Sequence, residues 1–444
     1  MPAKSAGWNG ITVQNIFHRP QLSPKFLPEP AGFCMKLLVF AHTPPPHHGQ
    51  SYMVKLMLDG FGGDARKTKS GGPSPFGIEC YHVNARFSKT LKDVGEFQGT
   101  KIFLILRFCL QAIWCRFRYG VTHFYYVPAP GKNVALYRDW LVMLLCRPFF
   151  KRVILHWHAA GLAKWLETSV QIRSRAITYR LFKPVDLSIV LSRYNVADAE
   201  KLLSSHIHVV SNGIPDPCPE FMAAILPQRQ ARSAARVKLL NGETLDTTES
   251  ARAGDDPHVI KILFLAHCTR EKGLFAALDG VRGANRILAS GNSPLRFRLL
   301  VAGNFMSAAE NTEFNQRLTD PELAGAIQVL GFVSAANKER ALREADGFCF
   351  PTRYLGENQP VNLIEAMAFG LPIVTTRWRS LPEMLPPDYP GLINNQDAGE
   401  VADALLKMAR RDDSRQLREL FLNRFSVEQY LTSLGKALHS IESP

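Results

Sequence analysis

Short apolar runs alternate with longer stretches of helical periodicity along most of the chain, and each run empties into a segment rich in Gly, Pro, His or Asn. Such alternation is the pattern of parallel sheets covered by helices. In the first half, KLLVFAH (36–42), FYYVPAP (124–130), RVILHWH (152–158), LSIVLS (187–192) and HIHVVSNGIP (206–215) predict strands or strand ends. Helices are expected over 50–60, through RDWLVMLLCR (138–147) and from Arg193 onward. In the second half the expected strands are the start of VIKILFLAHCTREKG (259–273), FRLLVAGNF (297–305), IQVLGFVS (327–334), Gly347 to Phe350, and PIVTT (372–376). VADALLKMARR (401–411) and SVEQYLTSLGKALHSI (426–441) are the closing helices. Residues 226–257 are polar, contain Gly and Asp and lack sustained periodicity, which predicts an inter-domain linker with an insertion. The first 34 residues, Pro-rich and polar, have no apolar core of signal-peptide length and predict a disordered extension or an over-called start. The expected divisions are therefore 1–34, a first domain over 35–225, the linker 226–257, a second domain over 258–425 and a last helix within 426–444.

Composition sharpens that outline. With 444 residues and 46% hydrophobic content the chain can bury two cores. Its eight cysteines are scattered, without Cys-x-x-Cys or a His partner at zinc spacing, so a reducing compartment and no structural metal are expected. The net charge of +14 is uneven: residues 35–215 carry 24 Lys and Arg against 10 Asp and Glu, whereas 216–444 carry 26 against 28. A basic half suits an anionic partner such as a membrane surface, a lipid-linked phosphate or nucleic acid. IFLILRFCLQAIWCRFRY (102–119) favours the membrane: Arg107, Arg116 and Arg118 punctuate an apolar run with Phe108, Trp114 and Phe117, too charged to span but suited to lying in the interface. The alternative is an ordinary helix packed on a sheet with its arginines snorkelling outward. No RNA-binding sheet signature or zinc knuckle supports nucleic acid.

The chemistry concentrates in ADGFCFPTRYLG (345–356), ENQPVNLIE (357–365), AMAFGLP (366–372) and TTRWRSLPE (375–383). A buried strand is expected to open into a loop carrying Glu357, followed by a helix from Val361 to Phe369 carrying Glu365 and ending at Gly370 before Pro372. Two carboxylates so placed beside a helix N-terminus suit a hydroxyl-rich ligand whose phosphate the helix end receives. In the other half of the cleft, His156 and His158 end one strand, and Gly49 stands at a strand-to-helix turn before Gln50 and Ser51. Zinc at His156 and His158 lacks a third ligand nearby. Lys272, at the entrance of a helix beginning near Leu274, could neutralise a diphosphate.

The ordered set Glu357, Glu365, Ala366, Met367, Ala368, Gly370, Pro372, Pro382 and Glu383 resembles the signature of retaining, nucleotide-sugar-dependent glycosyltransferases of the GT-B type, most closely glycosyltransferase family 4, the group 1 glycosyl transferases. The resemblance covers about residues 35–443 and is specific over 345–385. It implies two Rossmann-like parallel-sheet domains facing a central cleft, with the last helix crossing back to the first domain. It further implies a metal-independent, hexosyltransferase-like enzyme with a nucleotide diphosphate sugar as co-substrate and no cofactor. The acceptor would be a saccharide or lipid-linked hydroxyl, in polysaccharide, lipopolysaccharide or glycolipid synthesis. The location implied is cytoplasmic, with peripheral attachment to the inner face of the membrane. In that family His158 would lie near the donor's anomeric centre, Glu357 would meet the transferred sugar, and Glu365 would hold the ribose. Asn358, Pro360, Val361 and Gly49 would complete the donor site. The family usually has Gly-Arg ahead of Lys-Gly, where this chain has Ala266 and His267; His267 or Arg270 is expected to replace the missing cation, or Lys272 to act with the helix dipole. A nucleotide-sugar epimerase shares the two-domain plan and is the second enzymatic reading.

Overall fold

A computed structural model describes residues 34–45, 49–67, 76–87, 99–128, 131–254 and 256–442. The extension expected over 1–34 lies outside the described residues except for Cys34. The first domain is built on strands β1 (Met35–Ala41), β2 (Ile78–Asn84), β3 (His123–Tyr126), β4 (Arg152–Trp157), β5 (Val185–Val190) and β6 (Ser204–Val209). Its helices are α1 (Gly49–Gly60), α2 (Gly99–Tyr119), α3 (Asn133–Cys146), α4 (Leu162–Ser169), α5 (Ile172–Phe182) and α6 (Val196–Glu200). The strands pair in parallel in the order β2-β1-β3-β4-β5-β6. Interior strands such as β3, all four residues of which are buried, are covered on both faces and therefore read as unbroken apolar runs. β2 escaped the sequence reading because Glu79, His82 and Asn84 interrupt its apolar run.

After the first sheet come α7 (Leu226–Leu240) and α8 (Thr247–Ala253). The expected linker at 226–257 is thus largely helical. Part of its polarity is buried: α7 buries Arg229 and Arg236, and with Arg232 they surround Asp346, which accepts from Arg232 at 2.6 and 2.8 Å and from Arg236 at 3.0 Å. The guanidinium groups hold the Asp346 carboxyl below its usual range although burial pushes it upward. Periodicity failed here because a helix face of arginines takes the place of an apolar stripe.

The second domain comprises β7 (Val259–Leu265), α9 (Leu274–Ser290), β8 (Arg296–Ala302), α10 (Ala308–Arg317), β9 (Ile327–Gly331), α11 (Ala335–Glu344), β10 (Gly347–Phe350), α12 (Val361–Ala368), β11 (Ile373–Thr376), α13 (Leu381–Met384), β12 (Leu392–Ile393), α14 (Ala398–Ala409) and α15 (Ser414–Leu420). Its parallel order is β12-β11-β10-β7-β8-β9. The central position of β7 and β10 puts their carboxyl ends side by side, where ligands of such sheets bind.

The last helix, α16 (Val427–His439), buries Tyr430, Leu431, Leu434 and Leu438 against α1 and one face of the first sheet. Two crossings between the domains run together: Ile214 N–H donates to Phe425 O at 2.9 Å and Val427 N–H to Ile214 O at 2.8 Å. Gly213 permits this approach, since a Cβ there would lie 2.2 Å from Ser426 O.

Candidate active site

Because β7 and β10 are neighbours, the loops leaving them meet. Lys272, after β7, donates from Nζ to Glu357 Oε2 at 2.6 Å; Glu357, after β10, is buried and also accepts from Thr352 Oγ1 at 3.2 Å. The ammonium lies 4.3 Å from the Tyr354 ring centroid. Gly273 caps α9 in the left-handed region, and a Cβ there would stand 2.4 Å from Pro351 O, so only glycine brings this helix N-terminus against the end of β10. The expected phosphate cation and the expected sugar carboxylate are therefore one ion pair.

Glu365 lies on α12 as expected, and Lys338 of α11 pairs with it. Tyr52 of α1 is packed between the two domains' cores, its hydroxyl pKa pushed up to about 12 by burial and by the Glu365 charge. The first domain thus reaches Glu365. Gly49 starts α1, and a Cβ on it would be 3.9 Å from Val361 at the start of α12. Pro360 precedes that helix in extended conformation and leaves its first turn uncapped by any side chain. Asn358 is buried, with its backbone and side-chain oxygens both accepting from Ser380 Oγ. Asn362 ties the helix to β7 by donating to Leu265 O at 2.6 Å.

His156 is wholly buried, hydrogen-bonded through Nδ1 to the Tyr125 hydroxyl and held neutral, first by burial and then by His158. The ring of His158 lies beside it, with centroids 4.2 Å apart and the planes tilted by 34°, and of the two His158 is the one that is partly exposed. Two residues on, Ala160 O accepts from Arg379 Nη1 of the second domain at 2.8 Å, which fixes this strand end at the domain boundary.

The candidates for the missing cation divide. Arg270 donates to both oxygens of Glu313 at 2.6 Å, and its backbone N–H goes to Glu310 at 2.7 Å, so in this structure it is engaged by α10. His267 stays beside Lys272, its imidazole pKa lowered by burial and then by the Lys272 charge, so that it is held toward its neutral form. Among the described residues no group of three His, Cys, Asp or Glu side chains is gathered around one point.

Sequence reasoning missed Lys338, Tyr52, Gln359 and Arg379. Gln359 bridges the domains four ways: Oε1 accepts from Asn212 N–H at 2.9 Å, its carbonyl from Asn212 Nδ2 at 3.0 Å, and Nε2 donates to Leu191 O at 2.6 Å and Ser211 Oγ at 3.4 Å. Glu383 accepts from the backbone N–H groups of Arg193 and Tyr194, each at 2.8 Å. Gln359 and Arg379 lie within the signature segment and Tyr52 follows Gly49-Gln50-Ser51, but their partners are too distant in sequence to suggest themselves.

Two parallel-sheet domains with a ligand-type cleft between their carboxyl ends and a returning final helix constitute the GT-B glycosyltransferase fold. HepE of Anabaena, solved in complex with UDP, has that arrangement; it aligns with 91% of this chain and all of its own at TM-score 0.56 and 14% identity, a likeness of fold. Residues 260–411 match the family Glycosyl transferases group 1, and the second domain belongs to it. The amylovoran biosynthesis glycosyltransferase AmsK of Erwinia amylovora is 28% identical over 156 residues, 34% of this chain and 36% of AmsK. The phosphatidyl-myo-inositol mannosyltransferase of Mycobacterium leprae is 30% identical over 193 residues, 43% of this chain and 48% of that protein. The chain spans less than half the length of these curated relatives.

Proposed function

We propose that the protein is a retaining glycosyltransferase that moves a sugar from a nucleotide diphosphate sugar to a hydroxyl of a saccharide or lipid-linked acceptor. The observation that carries this reading is the meeting of Lys272, Glu357 and the α9 N-terminus at the adjacent ends of β7 and β10, with Glu365 one helix away. A leaving diphosphate gains charge as its bond to the anomeric carbon breaks, and Lys272 with the N-terminus of α9 would stabilise it. Glu357 would meet hydroxyls of the transferred sugar, Glu365 the ribose, and His158 the sugar from the facing domain. Asn358, Pro360, Val361 and Gly49 would shape the donor site around the α12 entrance. With Glu357 paired to a lysine, the better nucleophile is the acceptor itself. Its oxygen bonds to the anomeric carbon on the face the diphosphate leaves, and its proton passes to the departing phosphate oxygen.

The reading is supported by the names of the relatives, amylovoran biosynthesis in one and phosphatidyl-myo-inositol mannosyl transfer in the other, and by the UDP in the HepE complex. A lipid-linked acceptor fits α2, which turns one face into the sheet and exposes Phe103, Leu110 and Phe117 to 72%, 67% and 69%. With Arg107 and Arg118 exposed on the same helix, that face suits an anionic membrane surface on the cytoplasmic side. No helix among the described residues is long and apolar enough to cross a membrane.

Thermal shift against nucleoside diphosphates and their sugars tests the donor assignment, since a ligand at 100 times its Kd adds about 2.7 kcal/mol. The wild type is expected to melt higher with one nucleotide family and to release that nucleotide only when an acceptor is present, with turnover surviving excess EDTA. Failure of every nucleoside diphosphate to shift melting would refute the reading. Loss of turnover in EDTA restored by manganese would overturn the role given to Lys272.

A further inference from the structure

Arg379 stands where a side chain is poorly tolerated. Its φ is +52°, in the left-handed region that favours glycine. It follows β11 and crosses the cleft: one guanidinium nitrogen donates to Ala160 O at 2.8 Å, two residues past His158. The group fills the space over Gly161, where a Cβ would come within 2.7 Å of it. It lies 5.5 Å from the ring centroid of Trp378 and 6.0 Å from that of Tyr194 in the first domain. Arg353 stacks on the same indole at 5.0 Å, and Trp378 is itself held by donating from Nε1 to Tyr354 O at 2.9 Å.

Yet no carboxylate pairs with Arg379, nor with Arg353, among the described residues, and the buried Nε–H of Arg379 has no acceptor. A partly buried cation with an orphaned donor, kept in an unfavourable backbone conformation, is what a site looks like when its anion arrives with the ligand. Its place separates it from the diphosphate. Lys272 and the α9 N-terminus follow β7, whereas Arg379 follows β11, two strands away across β10, and reaches toward His158.

We propose that Arg379, steadied by Trp378, receives an anionic group, a carboxylate or phosphate, borne by a sugar substrate; the inference rests on the glycosyl-transfer reading. The anion sits on either the transferred sugar or the acceptor, and the guanidinium fork recognises it in the same way in both cases.

The test compares calorimetric binding to the wild type and to Arg379→Gly, a substitution that removes the cation while easing the backbone. Arg379→Gln serves as a second variant. UDP or GDP is used, whichever the wild type binds more tightly. The donor arm sets UDP-glucose against UDP-glucuronate, or GDP-mannose against GDP-mannuronate. The acceptor arm titrates glucose, glucuronate and glucose 6-phosphate into protein saturated with the nucleoside diphosphate. In one arm the wild type is expected to favour the charged probe by about tenfold or more, and both variants to lose that preference while keeping nucleoside diphosphate affinity within about twofold. Equal weakening of neutral and charged probes would make Arg379 an inter-domain contact only. Parallel loss of nucleoside diphosphate affinity would make it a diphosphate ligand. No preference for charge in either arm would overturn the proposal outright. If the wild type binds no nucleoside diphosphate at all, the glycosyl-transfer reading falls first and this inference with it.

Discussion

Glu357 and Glu365 keep different company, and neutralising them is expected to separate turnover from binding. Glu365 is paired with Lys338 and lies near Tyr52, at the place proposed for the ribose, a contact equal in ground and transition states. Glu365→Gln should weaken the nucleoside diphosphate and the donor alike, by about 1.5–3 kcal/mol for a charged hydrogen bond. Glu357 restrains Lys272, so Glu357→Gln releases a cation as well as removing a carboxylate. Nucleoside diphosphate binding should hold or tighten while turnover falls, because the lost partner is the sugar that flattens and gains charge as its bond breaks. Calorimetry of the nucleoside diphosphate with donor kinetics on both variants is the measurement; wild-type behaviour in both would mean that the carboxylates serve only their lysines. At this scale Glu357, Lys272 and the His156–His158 pair were legible as residue types after strand ends, and Glu365 as a carboxylate on the helix that follows. What each touches was not: Arg270 looked as available as Lys272 until α10 supplied Glu310 and Glu313 to occupy it.

Among elements, α2 and α7 show how one kind of sequence serves opposite ends. Both mix arginines with apolar residues. In α2 the apolar side chains Phe103, Leu106, Leu110, Trp114 and Phe117 remain exposed while Ile105, Cys109, Ala112 and Cys115 face the core. In α7 it is the arginines that are buried, around Asp346. The exposed stripe gives an element-scale prediction. Wild-type protein should co-sediment with phosphatidylcholine vesicles containing phosphatidylglycerol and detach as salt rises. Leu110→Ser with Phe117→Ser should abolish that binding while changing stability by about 0.5 kcal/mol or less per site, since neither side chain is in the core. Equal binding to neutral and acidic vesicles, or none to either, would remove the membrane surface from the account. Most strands and helices with regular apolar spacing were legible; β2 was not, because polar residues interrupt its apolar run, nor was α7, because an arginine buried on a carboxylate and an arginine in water look alike in a sequence.

At the scale of the whole molecule, Gln359, Glu383 and Arg379 hold the two domains against each other with hydrogen bonds to backbone groups. Gln359→Ala would leave Asn212 N–H and Leu191 O without partners, a cost of about 1–3 kcal/mol for each group that stays buried. The domains should then separate more readily: the radius of gyration from solution scattering is expected to rise and kcat to fall, with nucleoside diphosphate affinity changing less because its proposed contacts lie within the second domain. Unchanged scattering and turnover would show that the clamp is incidental. The sequence by itself determined the alternation of strands and helices, the α/β class and the signature run from Glu357 to Glu383, because periodicity, turn residues and helix caps act over a few neighbouring positions. Tertiary structure alone decided that Lys272 pairs with Glu357, Lys338 with Glu365, Gln359 with Asn212, and that Arg379 comes to rest beside Ala160. Those partners are joined by the strand order β12-β11-β10-β7-β8-β9 and by the docking of one sheet's carboxyl edge on the other, long-range choices settled by packing of the whole core.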